Sequence, residues 1–234
     1  MIDYDLERLD LSEATQQKYL QDGPMTKQFL LDPALDERMS KAKNDSTRIK
    51  IIYEYIHSQT EHPVLVGTQY IRNNKFKRTA QEVWDDKKMT GCTDYALVFS
   101  SIARKYGIPT TMLDTMEDKC LSDVRNNKFR KRISGHVFCE CLIDGEWRLV
   151  DPTFCITEKK YDPKHLKLTG RHFVGGSKRF TPLRRIIDTG ERQDTHSRNM
   201  GLVRDALGEW SDGREAKIEK VSREDLEMAG LVPE

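Results

Sequence analysis

The spacing of apolar residues changes character along this chain, and the changes predict its elements. Over the first 43 residues the apolar positions are sparse, and Gly23-Pro24 and Asp32-Pro33 break the text into short helices. A firmer helix is predicted over 45–59, where Ile49, Ile52, Tyr53 and Ile56 make one apolar face, with Pro63 shortly after its end. Thr79-Ala80-Gln81-Glu82 has the spacing of a capping box, so a short helix is expected from Ala80 to Lys87. From Cys92 to Tyr106 no proline or glycine intervenes, and Ala96, Phe99, Ala103 and Tyr106 fall on one stripe. Gly107 stops this helix and Pro109 closes the segment. Gly91 stands just before it, which puts Cys92 in the first turn.

After Pro109 the period becomes that of strands. Thr110 to Met116 is rich in β-compatible residues, and 117–132 is a polar, charged connection. From Gly135 the chain alternates, with Val137, Cys139, Cys141 and Ile143 on one side and His136, Phe138, Glu140 and Leu142 on the other. Asp144-Gly145 is a two-residue hairpin signal, and the returning strand, Glu146 to Val150, stops at Asp151-Pro152. Beyond Phe154 the pattern is lost until helix-like text returns over 198–208 and 223–229.

Composition narrows the function classes. The 39 lysines and arginines nearly balance the 38 aspartates and glutamates, so no global field favours nucleic acid or an anionic membrane as partner. No apolar run approaches the roughly 20 residues of a membrane-spanning helix. The acidic start, Met1-Ile2-Asp3-Tyr4-Asp5, lacks the basic and apolar regions of a secretory leader, and a cytoplasmic protein is expected. The five cysteines, Cys92, Cys120, Cys139, Cys141 and Cys155, are an odd number without such a leader, which argues against a disulfide scaffold.

One of these cysteines stands out by position. In the first turn of a helix, Cys92 meets the positive end of the macrodipole and unpaired backbone amides, both of which favour the nucleophilic thiolate. The same amides can donate to an oxyanion. The hairpin supplies the rest. With a two-residue turn, Ile143 pairs with Glu146, Phe138 falls opposite Asp151, and His136 lies diagonal to Asp151 on the same face. A histidine and a carboxylate meeting this way form the base and orienter that nucleophilic catalysis requires.

Three blocks of the chain resemble the transglutaminase-like superfamily. They are Thr79-Ala80 through Gly91-Cys92-Thr93-Asp94-Tyr95-Ala96 with Phe99, Arg104 and Gly107-Ile108-Pro109; Gly135-His136-Val137-Phe138-Cys139-Glu140; and Gly145 through Asp151-Pro152-Thr153. The resemblance implies an α+β fold with a papain-like core, in which the nucleophile helix packs on an antiparallel sheet. It also implies a Cys92–His136–Asp151 triad performing acyl transfer on amide bonds of a protein or peptide substrate, without metal or organic cofactor. Hydrolysis is the expected outcome; a crosslinking transglutaminase and a non-catalytic protein-binding module are the alternatives. A further oxyanion donor comes from a side chain upstream in such sites, and Gln69 and Gln81 are the candidates beside the amide of Cys92. Asp94 reads as structural. The expected organisation is a helical extension over 1–44, a catalytic core over 45–155, and a basic segment with a helical C-terminal region over 156–234 packed on the core.

Two other chemistries compete. Cys139-Glu140-Cys141 with Cys155 and His136 could supply zinc ligands, but alternation turns Cys139 and Cys141 away from His136. The segment 159–185 carries nine basic residues against one acidic residue, Asp162, and could dock an acidic partner. With few aromatics and no nucleic-acid fold signature, it reads better as a solvated face.

Overall fold

The computed structural model describes residues 9–27, 29–75, 77–117, 119, 135–158, 168–172 and 176–190. Three expectations fall outside them: most of the 117–132 connection and the two C-terminal helices at 198–208 and 223–229. Cys120 lies outside as well, and much of the basic segment does too.

Seven helices are described: α1 (Glu13–Leu20), α2 (Pro33–Ser40), α3 (Asp45–Gln59), α4 (Pro63–Val66), α5 (Thr68–Asn74), α6 (Ala80–Asp86) and α7 (Cys92–Lys105). The strands are β1 (Thr110–Glu117), β2 (Gly135–Ile143), β3 (Glu146–Asp151), β4 (Ile156–Glu158), β5 (Leu168–His172) and β6 (Gly176–Ile186). They form one antiparallel sheet in the order β4-β3-β2-β1-β6-β5. This is the α+β arrangement expected, with the helix of Cys92 against an antiparallel sheet.

Local chemistry accounts for the helix boundaries. Asn44 accepts from the Thr47 amide at the start of α3, Asp32 from Ala34 at the start of α2, and Thr79 and Glu82 close a reciprocal capping box on α6. The β2–β3 turn has Asp144 at φ 51° and Gly145 at φ 84°, the two positive φ values of a type I′ hairpin. Asp144 does a second job there: its carboxylate accepts from the Asp45 amide (3.0 Å) and the Ser46 hydroxyl (2.5 Å), tying the hairpin tip to α3.

Helix α7 is buried on every side from Thr93 to Arg104, so the single apolar stripe read from the sequence understates its position. It runs through the middle of the molecule, between the sheet and α3 and α6. Ser100 and Ser101 are tolerated there because each hydroxyl donates to the Leu97 carbonyl one turn back. Val137, Cys139, Cys141 and Ile143 face this helix in the main core, and Phe138 on the opposite face clusters with Leu113, Leu149 and Phe180. The alternation read along β2 is therefore observed, although both faces are buried.

The sheet does not end where the pattern fades. β6 pairs with β1 inside the sheet and β5 adds beyond it, so the architecture runs past residue 155 to Ile186. Two buried charged groups secure this continuation. Arg104 donates to the carbonyls of Thr110 and Ile187, and Glu140 forms a forked pair with Arg185 across β1 at 2.5 and 2.8 Å. At the other end, Asp188 accepts from the Met25 amide and the Thr26 hydroxyl, docking the N-terminal segment. Phe29, Leu35 and Met39 of that segment enter the main core. Among the described residues, no helix is long and apolar enough to cross a membrane.

Candidate active site

Cys92 is the first residue of α7 and is partly exposed, with its inner surface against the main core. Gly91 precedes it and brings no capping side chain, so no hydroxyl or carboxylate at that position competes for the first-turn amides. Asp94 would be the natural acid to bend back over the helix start. Its carboxylate instead accepts from the Thr90 amide and hydroxyl, both at 2.7 Å, and from Arg78 Nη2 at 2.6 Å. Arg78 also reaches Asp86, the Tyr70 hydroxyl and the Lys88 carbonyl. Both members of the Arg78–Asp94 pair are buried, so their attraction is little screened by solvent. The loop from Lys88 to Gly91 is thereby bolted to α5, α6 and α7, and the position of Cys92 follows from it. Asp94 is structural, as its place in the sequence indicated. Arg78 had no spacing signal; only the fold brings it to Asp94.

His136 and Asp151 meet on adjacent strands. The observed register runs from Ile143↔Glu146 to Cys139↔Val150, as the two-residue turn requires, and brings His136 Nε2 to 3.0 Å from Asp151 Oδ2. The other oxygen, Oδ1, accepts from the Thr153 amide at 3.1 Å, a local turn that points the carboxylate. Thr115 on β1 donates to the His136 carbonyl and fixes the end of β2. With Nε2 spent on Asp151, Nδ1 is the ring nitrogen left for the Cys92 sulfur, with which the imidazole also interacts.

Three aromatic rings enclose the imidazole: Phe138 edge-on at 4.5 Å, Phe154 stacked at 5.8 Å and Phe180 tilted at 5.7 Å. Burial of this kind by itself disfavours the imidazolium. The charge of the Cys92 thiolate, the hydrogen bonds to Asp151 and Cys92, and the Asp151 charge outweigh it, and His136 is raised from 6.5 to about 10. The arrangement can therefore hold a thiolate–imidazolium pair in a water-poor setting.

The upstream glutamines go elsewhere. Gln69 donates its amide to Asn73 on its own helix, and Gln81 donates to Asp85 while its carbonyl accepts from the Leu30 amide. In this structure the amide groups of both side chains are engaged with these partners. Cys139 and Cys141 are buried against α7, with burial pushing both thiols up, and Cys155 is exposed in the turn after Asp151. Among the described residues no cluster of histidine, cysteine and carboxylate side chains could hold a metal ion.

Fold and site together define a protein with a cysteine at a helix start facing a histidine–carboxylate pair on a sheet. Residues 33–152, just over half of the 234, match the family described as the transglutaminase-like superfamily. The chain belongs to that superfamily, and at the coarse level membership supports a cysteine-dependent enzyme. A solved structure from Cytophaga hutchinsonii, provisionally named a cysteine protease, is similar at 16% identity with a TM-score of 0.46. The match covers 66% of this chain and 47% of that one, so the chain spans about half its length. No curated protein matches the chain.

Proposed function

We propose that this protein cleaves amide bonds of a protein or peptide substrate through a thioester on Cys92, with His136 as general base and Asp151 as its orienter. The observation that carries the reading is the closed His136–Asp151 bond, buried among aromatic rings beside a cysteine that opens a helix.

In the first half-reaction, the Cys92 sulfur attacks the carbonyl carbon and the thiol proton passes to His136 Nδ1. Negative charge develops on the carbonyl oxygen, where the backbone amide of Cys92 and the N-terminal end of α7 favour it. Collapse of this intermediate breaks the C–N bond, and His136 gives its proton to the leaving nitrogen. In the second half-reaction water attacks the thioester, His136 takes the water proton, and the sulfur leaves as the carboxylic acid is released. Asp151 accepts Nε2–H throughout, so that Nδ1 faces the sulfur.

The test is alkylation of Cys92 at pH 6, followed by peptide mass spectrometry in the wild type and in His136→Ala. Cys92 is expected to react well ahead of the exposed Cys155 and of free cysteine, and His136→Ala to remove the advantage. A Cys92 no faster than Cys155 would sink the catalytic reading and leave a binding scaffold. Peptide substrates offered with and without a primary amine then separate hydrolysis from crosslinking, since an incorporated amine would redirect the thioester away from water.

A further inference from the structure

Two aromatic pairs join α3 to α7 in register. Tyr53 stacks on Phe99 with ring centres 5.5 Å apart and planes 25° apart, and His57 stacks on Tyr95 at 4.8 Å and 16°. Within each helix the two rings are four residues apart, so they lie on one face and make two rungs of a ladder.

The polar tips of the same α3 side chains reach past α7 to a third element. His57 Nε2 lies 2.9 Å from the Pro152 carbonyl, and since a carbonyl only accepts, the nitrogen there is the protonated one. The Tyr53 hydroxyl donates to the Ile156 carbonyl at 2.8 Å. These two bonds grip both ends of the turn that leaves Asp151. That turn needs the grip, because Cys155 within it sits at φ 56°, a left-handed conformation that residues with a Cβ rarely adopt.

We infer that His57 is a positioning residue for the candidate active site, holding the helix of Cys92 through its ring and the turn of Asp151 through its Nε2–H. This role rests on the catalytic reading of Cys92, His136 and Asp151. His57 touches none of the reacting atoms. It stands one turn from Cys92 by way of Tyr95 and one peptide from Asp151 by way of Pro152, and so sets the distance between nucleophile and orienter. The titratable groups facing it are Tyr95 of α7 and His62 at the start of α4.

The experiment separates the two contacts. His57→Phe keeps a ring for Tyr95 and loses the donor; His57→Gln loses the ring and keeps an amide N–H at a similar reach. The readout is the rate of Cys92 alkylation by iodoacetate against pH. This anionic reagent is favoured by the imidazolium, so the fall in rate on the alkaline side reports His136 losing its proton. If the Pro152 bond keeps Asp151 in place, His57→Phe brings that fall down by about one pH unit, as expected for a carboxylate displaced from an imidazolium. His57→Gln keeps it near the wild-type position. His57→Leu, which also lacks the donor, substitutes for the phenylalanine variant if that one does not fold. An unmoved alkaline limb in the donor-less variant overturns the role of His57 alone. So do equal movements in the phenylalanine and glutamine variants that track their melting temperatures. A wild-type Cys92 with no such limb overturns the catalytic reading and this role together.

Discussion

Replacing Asp151 with asparagine tests the electrostatics of the site most directly, because it keeps the shape of the side chain and removes its charge. Burial alone would hold the His136 imidazolium down; the Cys92 thiolate, its hydrogen bonds and the Asp151 carboxylate raise the group to about 10. Asp151 supplies two of the favourable contributions, a hydrogen bond at 3.0 Å and a negative charge in a setting poor in water. An opposite charge at such range shifts a titration by about one to three pH units, or about 1.4 kcal/mol for each. The sign follows: without the carboxylate, the imidazolium is lost at lower pH, and the thiolate–imidazolium pair survives over a narrower range. In the iodoacetate assay the wild-type rate is expected to fall near pH 10, and the Asp151→Asn rate about one to two pH units earlier. The asparagine also presents either an oxygen or an amide to Nε2, and in the second case it selects the wrong tautomer. A drop in the plateau rate at neutral pH would report that. The two protons belong to the Cys92–His136 pair jointly, so the quantity to compare is the position of the limb in otherwise matched proteins. A limb within a few tenths of a unit of wild type would refute the reasoning, for it would mean that Asp151 contributes no charge to the imidazole.

Two further outcomes concern the frame around the site. Asp94→Asn leaves the buried Arg78 with Asp86 as its remaining carboxylate and is expected to lower unfolding free energy in urea by about 1–3 kcal/mol, less than a buried charge left with no counter-charge would lose. Combining it with Arg78→Met should recover part of that loss, and a single-variant effect below about 1 kcal/mol would mean the pair is relieved by solvent. Gly23→Ala places a Cβ in steric conflict with the Asp188 carboxylate, forcing it off Met25 and Thr26. A loss of roughly 1–3 kcal/mol is expected. It should be read by thermal melting, and an unchanged melting temperature would show that Asp188 does not bear on docking of the N-terminal segment.

Short-range grammar carried a good deal of this molecule. The capping box at Thr79, the helix from Cys92, the I′ turn at Asp144-Gly145 and the β2–β3 register all depend on contacts within a few residues or across one tight turn. His136 and Asp151 could be paired from the sequence for that reason: a two-residue turn sets which residues lie opposite, and alternation sets which face they share. What decided the rest acts over long separations. Gln81, four residues from its helical partner Asp85, also takes the Leu30 amide from 51 residues away. β6 reads as unpatterned basic text because its inner neighbour β1 and its partner Glu140 are remote in sequence, and a buried arginine such as Arg185 is spelled like an exposed one. Arg78, His57 and Tyr53 matter through partners 16, 95 and 103 residues away. The residue types of the site were thus determined locally by the chain, whereas its rigidity, its surroundings and the distance between its parts were decided by packing of helices against the sheet, which no local pattern encodes.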